Sequence, residues 1–591
     1  MSTLAGIYAY GSSAAPIEDA GLLSMSKSLA GASRRDSGHW LSPGRRVGLG
    51  WSGSPQIADA GGSPGRLCVT PDGRYRLLLT GHPYNLDLLC RQHSPRPLWP
   101  EVDGPASLVL RLHAVLGPRL PGLLAGPFAL ALWDEQEQSL LLARDALGIK
   151  PLYLHDDGRR LRFASRVGAL LAGREVVPAP EPAGHVGFWL WGHVPEPFTL
   201  HEGIVCLPPG GSLQVVAGGR RQAWQTPTVR QIWASTPPGT DTGLLDNLES
   251  SLSHHRPRAA RTALLLSGGL YSATLAQLAC AAGRPLPTLT LGIEALRGTR
   301  LDEAGAAADI ARACRSPHNR YGLEEGDLRA AAAEVLATLD QPATGAIGLW
   351  LAARAAAALQ FTVLLSGHGG RWLCNDGSVA QQLPALRARQ PGWWRLPGVP
   401  PLLRLLAPLM LRRFGARRRA AQFAYGSNWE GLYLLTRGLR LPWDLEAGSV
   451  LDPVFLSHGL QRLAGELLPD GSLDRLGPAA VAVSVLESRH HLTGALLRDA
   501  DWAGGEHGVE IRLPFIDLSL LRTSVALWRA GRRPRRPVLL HALARAGLRP
   551  PTIAVGEDGI ELGPDWAWNS PLWQDAVGTL LDGRAVSRRA A

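Results

Sequence analysis

Lysine is almost missing from this 591-residue chain: Lys27 and Lys150 stand in a total of 61 basic residues that is otherwise arginine. Against 50 acidic residues this leaves a net charge of +11. The arginine-for-lysine bias runs through the whole chain and is as easily a matter of nucleotide composition as of function, so nucleic acid is not expected as a partner. Cysteine is sparse as well. Cys68, Cys90, Cys206, Cys280, Cys314 and Cys374 lie far apart in sequence, with no C-x-x-C pair and no Cys/His cluster at zinc spacing. That excludes a zinc module or a disulfide-built fold and predicts scattered, reduced thiols in the cytoplasm. No basic and apolar signal sequence opens the chain. The most lipid-like stretch, 402–411, is broken by Arg404 and closed by Arg412-Arg413, far short of the roughly 20 residues that span a bilayer. No membrane association is expected. What is present is a globular composition, 45% apolar and 19% charged, in a chain too long for a single core.

Residues 1–227 carry short alternating runs separated by Gly and Pro, such as 74–81 and 128–134, which predict a layered, strand-rich α+β domain. Residues 228–242, with Pro237-Pro238-Gly239, read as a linker. From 243 to 591 helical and strand patterns alternate, which predicts an α/β domain on a parallel sheet. Helices are expected at 244–255, 303–314, 328–339 and 349–359, and strands at 263–266, 287–293 and 361–366. The first and last of these strands each run into a glycine-rich turn. In an open parallel sheet both turns lie at the carboxyl ends of the strands, where they can face one ligand. The first turn, Ser267-Gly268-Gly269 leading into a helix with Ser272, aims backbone N–H groups and hydroxyls at one point, as suits a phosphate.

The words around these turns resemble the asparagine synthetase family. Ser-Gly-Gly-Leu-Tyr-Ser at 267–272 is similar to that family's Ser-Gly-Gly-x-Asp-Ser pyrophosphate loop, and Leu-Ser-Gly-His-Gly-Gly-Arg at 365–371 to its Leu-Ser-Gly-Asp/Glu-Gly-x-Asp turn. Residues 126–134, 142–153, 192–200 and 207–211 resemble the glutamine amidotransferase domain that opens such chains, and 497–501 with 509–517 resemble the C-terminal signature. The match is poor between about 375 and 478. The resemblance implies an amidotransferase-like domain followed by an ATP-pyrophosphatase-like domain. It also implies a nucleotide contacted at Leu266, Ser267, Gly268, Gly269, Ser272, Leu291, Ser366 and Gly367, and activation of a small carboxylate or peptide substrate as an acyl-adenylate.

Several positions depart from the family pattern. Ser2 stands where the family has its cysteine nucleophile, and Thr80 and His82 stand in the stretch that grips glutamine, so glutamine hydrolysis is not expected. Tyr271 and Arg371 replace two aspartates that the resemblance assigns to magnesium; Mg²⁺ is expected of the family, and no metal ligand is assigned here. The acids of the second turn are gone, and no lysine follows Lys150. Arg371 and His368 are the candidate catalytic residues, as a cation for phosphate and a polar group at the turn. Asp499, Asp501, Glu510 and Asp517 are either substrate contacts or partners of Arg512. Asp340-Gln341-Pro342 resembles a structural turn of the family. The arginine runs at 417–419 and 532–536 are read as solvated faces or as docking points for an acidic partner or leader peptide, such as a protein encoded in the same biosynthetic cluster. Two readings remain open: a degenerate homologue that binds or scaffolds, and an active ATP-dependent amide ligase of asparagine synthetase or lasso-peptide cyclase type.

Overall fold

The computed structural model describes residues 2–532 apart from short stretches at 31–35, 54–65, 95–103, 240–242, 258–259, 300–301 and 448–450 and most of 396–416 and 468–478. The expectations for most of 402–411, for the arginine run beyond Arg532 and for the side chains of 417–419 lie outside the described residues.

Two six-stranded antiparallel sheets stack face to face in the N-terminal half. Strand Phe128–Asp134 illustrates why. Its residues alternate between two apolar environments, with Ala129, Ala131 and Trp133 in the layer between the sheets. Phe128, Leu130 and Leu132 pack instead under helices Leu86–His93 and Pro105–Leu116. Strand Ser2–Tyr8 divides in the same way: Leu4 and Tyr8 face the other sheet, while Ala5 and Ile7 face helices Asp19–Ser28 and Val167–Ala172. A strand buried on both faces needs apolar residues at every position, and the result is four layers, helix, sheet, sheet, helix.

The C-terminal half is built on a five-stranded, all-parallel sheet in the order His318–Leu323, Thr288–Ile293, Thr262–Leu265, Val363–Ser366, Glu510–Arg512. Helices Leu244–His255, Leu270–Ala281, Glu303–Ala313, Glu325–Thr338 and Ala346–Ala358 cover it. The expected helices and strands of this half are all present within a few residues. Two strands had no expectation of their own, His318–Leu323 and Glu510–Arg512.

The stretch expected to be a linker is corrected in part. Thr228 caps a helix, Val229–Ser235, through a reciprocal capping box with Gln231. Ile232 and Trp233 of that helix are buried in the C-terminal core. Helix Pro182–Trp191 is apolar on all sides and contributes Phe188, Leu190 and Val186 to the same core, against helix Pro453–Leu467. Gly459 permits the approach, since a Cβ there would come within 2.6 Å of the Pro182 carbonyl oxygen.

The two halves interlock through polar groups. Asp340 accepts from the backbone N–H groups of Val167 and Gly168 at 2.9 and 2.8 Å, so an acid of one half caps a helix of the other. Gln341 accepts from Leu200 N at 3.1 Å. Arg166 and Glu506 pair at 2.5 Å. The Asp340 turn is therefore structural. Asp340→Ala is expected to lower unfolding stability by about 1–2 kcal/mol, the usual cost of a lost N-cap; Asp340→Asn, which keeps an acceptor, is expected to lose less. Chemical denaturation checks both.

Candidate functional site

The two glycine-rich turns follow adjacent strands whose last residues, Leu265 and Ser366, are in register, and their backbones touch. A Cβ on Gly367 would lie 2.6 Å from Ser272 N and 3.0 Å from its Cα. Glycine is thus required at 367 by the close approach of the other loop. Gly367→Ala is expected to force the loops apart, at a cost of roughly 1–3 kcal/mol, read as a lower thermal midpoint.

Within the first loop the hydroxyls are turned inward. Ser272 Oγ donates to the carbonyls of Ser267 and Gly269 at 3.1 and 3.2 Å, and it lies 3.0 Å from Ser267 Oγ. Ser267 Oγ accepts from Gly269 N at 3.2 Å. Gly269 is the N-cap of helix Leu270–Ala281, with no side chain capping that end. Leu266 is buried, its carbonyl accepting from Thr290 Oγ1 at 2.5 Å, and Leu291 is half-buried on the neighbouring strand. The residues 266–269, 272, 291, 366 and 367 thus come together at one end of the sheet.

The Tyr271 side chain packs against the second turn. Its ring lies against Gly370, where a Cβ would come within 2.3 Å of it, and meets Phe515 edge-on at 5.5 Å. Its hydroxyl donates to Asp376 Oδ2 at 3.2 Å. Burial holds the phenol well above its ordinary pKa, and the neighbouring Cys374 and Asp376 add to this, so it stays neutral. Asp376 had not been singled out. The motif at 365–371 has no acid, yet the chain returns one to its neighbourhood from beyond the short helix Gly370–Cys374. Arg371 is the second residue of that helix and is half-buried. His368 is exposed, and its Nδ1 lies 2.5 Å from the buried Ser366 Oγ.

Ser2, Thr80 and His82 are at a different place, in the N-terminal half, with His82 at its contact with the C-terminal half. Thr80 Oγ1 donates to the Ser2 carbonyl at 2.7 Å, and both residues are buried. His82 Nδ1 lies 3.1 Å from Glu510 Oε1, and Arg512 Nη2 donates to Glu510 Oε2 at 3.1 Å. Burial, reinforced by the Arg512 charge, pushes His82 down to about 3, so the ring is neutral and donates from Nδ1. Glu510 is held well below the usual carboxylate range: burial opposes this, and Arg512 with the His82 hydrogen bond outweighs it. Tyr84 stacks on His254 at 4.4 Å and donates a short hydrogen bond to Asp517.

Lys150 completes this contact. Its Nζ donates to Asp501 at 2.9 Å in a buried pair. The synthetase half has no lysine in its own chain order, but the amidotransferase-like half inserts one into it. Asp501, Glu510 and Asp517 are thereby occupied by partners from the other half. Asp499 is buried beside Arg498, and burial pushes it up to about 7. Among the described residues no group of three or more His, Cys, Asp or Glu side chains is placed to hold a metal ion, and no helix is long and apolar enough to cross a membrane.

The family model described as asparagine synthase matches residues 243–533, and the glutamine amidotransferase domain model matches 1–225. The chain belongs to the asparagine synthetase family. Among its relatives is "Putative asparagine synthetase (glutamine-hydrolyzing)" of Mycobacterium tuberculosis, 28% identical over 333 residues, 54% of this chain and 50% of the relative. Asparagine synthetase (glutamine-hydrolyzing) 3 of Bacillus subtilis is 27% identical over 154 residues, 26% of this chain and 25% of that one. The match therefore spans about half the length of the first of these family members. A solved structure, the glutamine phosphoribosylpyrophosphate amidotransferase of B. subtilis complexed with ADP and GMP, aligns with a TM-score of 0.26 at 13% identity, covering 54% of this chain and 65% of that one. That score is too low to carry an argument.

The buried histidines of this family member set its response to acid. Burial pushes His82 and His490 down to about 3 and His113 and His255 down to about 4. Each binds a proton in the unfolded chain near pH 6.5 and not in the folded one, so its contribution is intact above about pH 6.5 and is lost as pH falls from there. Each histidine contributes a slope of about 1.4 kcal/mol per pH unit in that window. Asp499, raised to about 7, acts in the opposite sense and offsets one of them. Stability is expected to drop between pH 6.5 and 4.5, and His82→Asn is expected to take up one proton fewer on unfolding, as measured by denaturant titration at several pH values.

Proposed function

We propose that this asparagine synthetase family member is a non-catalytic homologue that serves as a binding or scaffold subunit, without glutaminase activity and without magnesium-dependent adenylation. The division into a 1–227 amidotransferase-like domain, a 228–242 connection and a 243–591 synthetase-like domain belongs to this proposal. So does a nucleotide contact at residues 266–269, 272, 291, 366 and 367. The observation that carries it is the placement of Tyr271. At the position of a metal aspartate stands a neutral phenol that is turned inward, packed on Gly370 and Phe515 and bonded to Asp376.

Magnesium accepts hard, ionised oxygens, and these residues do not fit it: the phenol keeps its proton, the other aspartate position holds Arg371, and Asp376 already accepts from Tyr271. What the chain retains is a loop of backbone N–H groups and an uncapped helix N-terminus at Gly269, which suit a phosphate without a cation, and Arg371 to pair with it directly. In the other half, Ser2 replaces the thiol nucleophile, and His82 is committed to Glu510. An active amide ligase is the second reading, favoured by the exposed His368 imidazole beside Ser366 at the same strand ends.

Calorimetry with ATP is expected to give weak binding of equal strength with and without magnesium. No labelled pyrophosphate should exchange into ATP in the presence of carboxylate or peptide substrates, and no ammonia should be released from glutamine. Pyrophosphate exchange by the wild-type chain, abolished by Arg371→Ala, would establish the ligase reading instead.

A further inference from the structure

The end of the parallel sheet opposite the two glycine-rich turns opens into a cavity of about 630 Å³. It lies where strands Thr262–Leu265 and Thr288–Ile293 begin and where the chain enters His318–Leu323 and Val363–Ser366. The backbone there is already engaged. Thr362 N and Leu264 N donate to the carbonyls of Arg261 and Pro287 at 2.9 and 2.8 Å, and Thr288 N donates to that of Pro317 at 2.8 Å. What the cavity offers a ligand is therefore mainly side chains, and three of these are arginines, Arg256, Arg261 and Arg284. Among the described residues that line it, none is acidic.

The three cations come from separate pieces of chain. Arg256 is the C-cap residue of helix Leu244–His255, Arg284 follows helix Leu270–Ala281, and Arg261 immediately precedes strand Thr262–Leu265. Arg256 donates to the Arg284 carbonyl at 2.8 Å and Arg261 to Gln360 Oε1 at 2.9 Å, so the hydrogen bonds of both go to uncharged acceptors. Among the described residues no carboxylate pairs with any of the three. Buried arginines elsewhere in the chain have such a partner: Arg144 has Glu196, Arg162 has Glu175 and Arg512 has Glu510. Arg256 is half-buried, and burial together with the Arg284 charge holds its guanidinium below its ordinary pKa. A cleft lined by uncompensated charge of one sign concentrates counter-ions. Beside the cations stands an apolar wall that includes Phe361 and Pro317, with the Arg261 guanidinium 5.8 Å from the centre of the Phe361 ring.

We infer that this cavity binds a small organic phosphate of nucleotide size, with its phosphoryl groups among Arg256, Arg261 and Arg284 and its ring on the apolar wall. Three guanidiniums that face no acid call for more than one anionic group, and the guanidinium fork matches phosphoryl oxygens in pairs. The volume falls within the roughly 300–1,000 Å³ of small-molecule sites. An inorganic ion would fill only a small part of it and leave the apolar wall wet. The site is separate from the nucleotide contact at the first turn, since strand Thr262–Leu265 has the cavity at its amino end and the Ser267–Ser272 loop at its carboxyl end. A ligand in the cavity does not depend on the chemistry of that loop.

The test uses the full-length protein, with pyrophosphate as the anion alone and ADP as the same anion carrying a ring. By calorimetry ADP is expected to bind at least about ten-fold more tightly than pyrophosphate. An azido-adenine analogue of ADP, photolysed on the wild-type protein, should label peptides containing Phe361 or Pro317. Arg261→Gln combined with Arg284→Gln should cut that label at least about ten-fold, while Arg261→Lys with Arg284→Lys should keep most of it. Both side chains are exposed, so the thermal midpoint should not move, and the wild-type label map stands independently of the variants. Label confined to residues 266–272, cavity label undiminished by the glutamine pair, pyrophosphate binding as tightly as ADP, or no binding of either probe would each overturn the assignment.

Discussion

A buried carboxylate sets the arrangement of this molecule. Glu510 sits on the last strand of the parallel sheet, against the amidotransferase-like half, where an ionised acid is tolerable only if its oxygens are fully engaged. Arg512, two residues along the same strand, engages one oxygen and His82 of the other half engages the other. Lys150 with Asp501 and Tyr84 with Asp517 continue the same boundary. Removing one partner of such a buried pair typically costs about 3–5 kcal/mol, because the remaining charge is left uncompensated. The orientation of the two halves is thus fixed by compensation of charge as well as by apolar area.

The same boundary gives a residue of the 80–85 stretch a structural duty. Position 82 is occupied by a residue with a structural duty, a neutral imidazole that donates to Glu510. Position 271 shows the parallel case at the sheet's carboxyl end. The loop backbone keeps its shape because it depends on Ser267, Ser272 and the contact with Gly367, none of which involves the Tyr271 side chain. Shape and chemistry in that loop are carried by different atoms, so one can change while the other persists.

Much of this was legible in the residues, for identifiable reasons. Phe128–Asp134 and Val363–Ser366 are buried on both faces and so announce themselves as unbroken apolar runs. Strand His318–Leu323, half-exposed at the sheet edge, carries polar and charged residues and so left no such run. The two glycine-rich turns could be placed together because sheet topology dictates it. The direction of the Tyr271 side chain could not, since it depends on Gly370 and Phe515 leaving room for a ring. Lys150 and Asp501 stand 351 residues apart, and Tyr84 and Asp517 stand 433 apart. No local pattern encodes such pairs. The stretch at 228–242 looked like a linker because Pro237-Pro238-Gly239 dominates it, although Thr228 and Gln231 already spelled a capping box.

Helix Pro182–Trp191 lies within the stretch matched by the amidotransferase model but donates its apolar faces to the core of the synthetase half. Cutting the gene at the boundary between the matched stretches would leave one product with a bare greasy rod and the other with a trench where Phe188 and Leu190 had been. Neither fragment could be inherited alone without a solubility defect. Selection on the synthetase half is therefore enough to carry the whole amidotransferase-like half along, whether or not that half retains any chemistry.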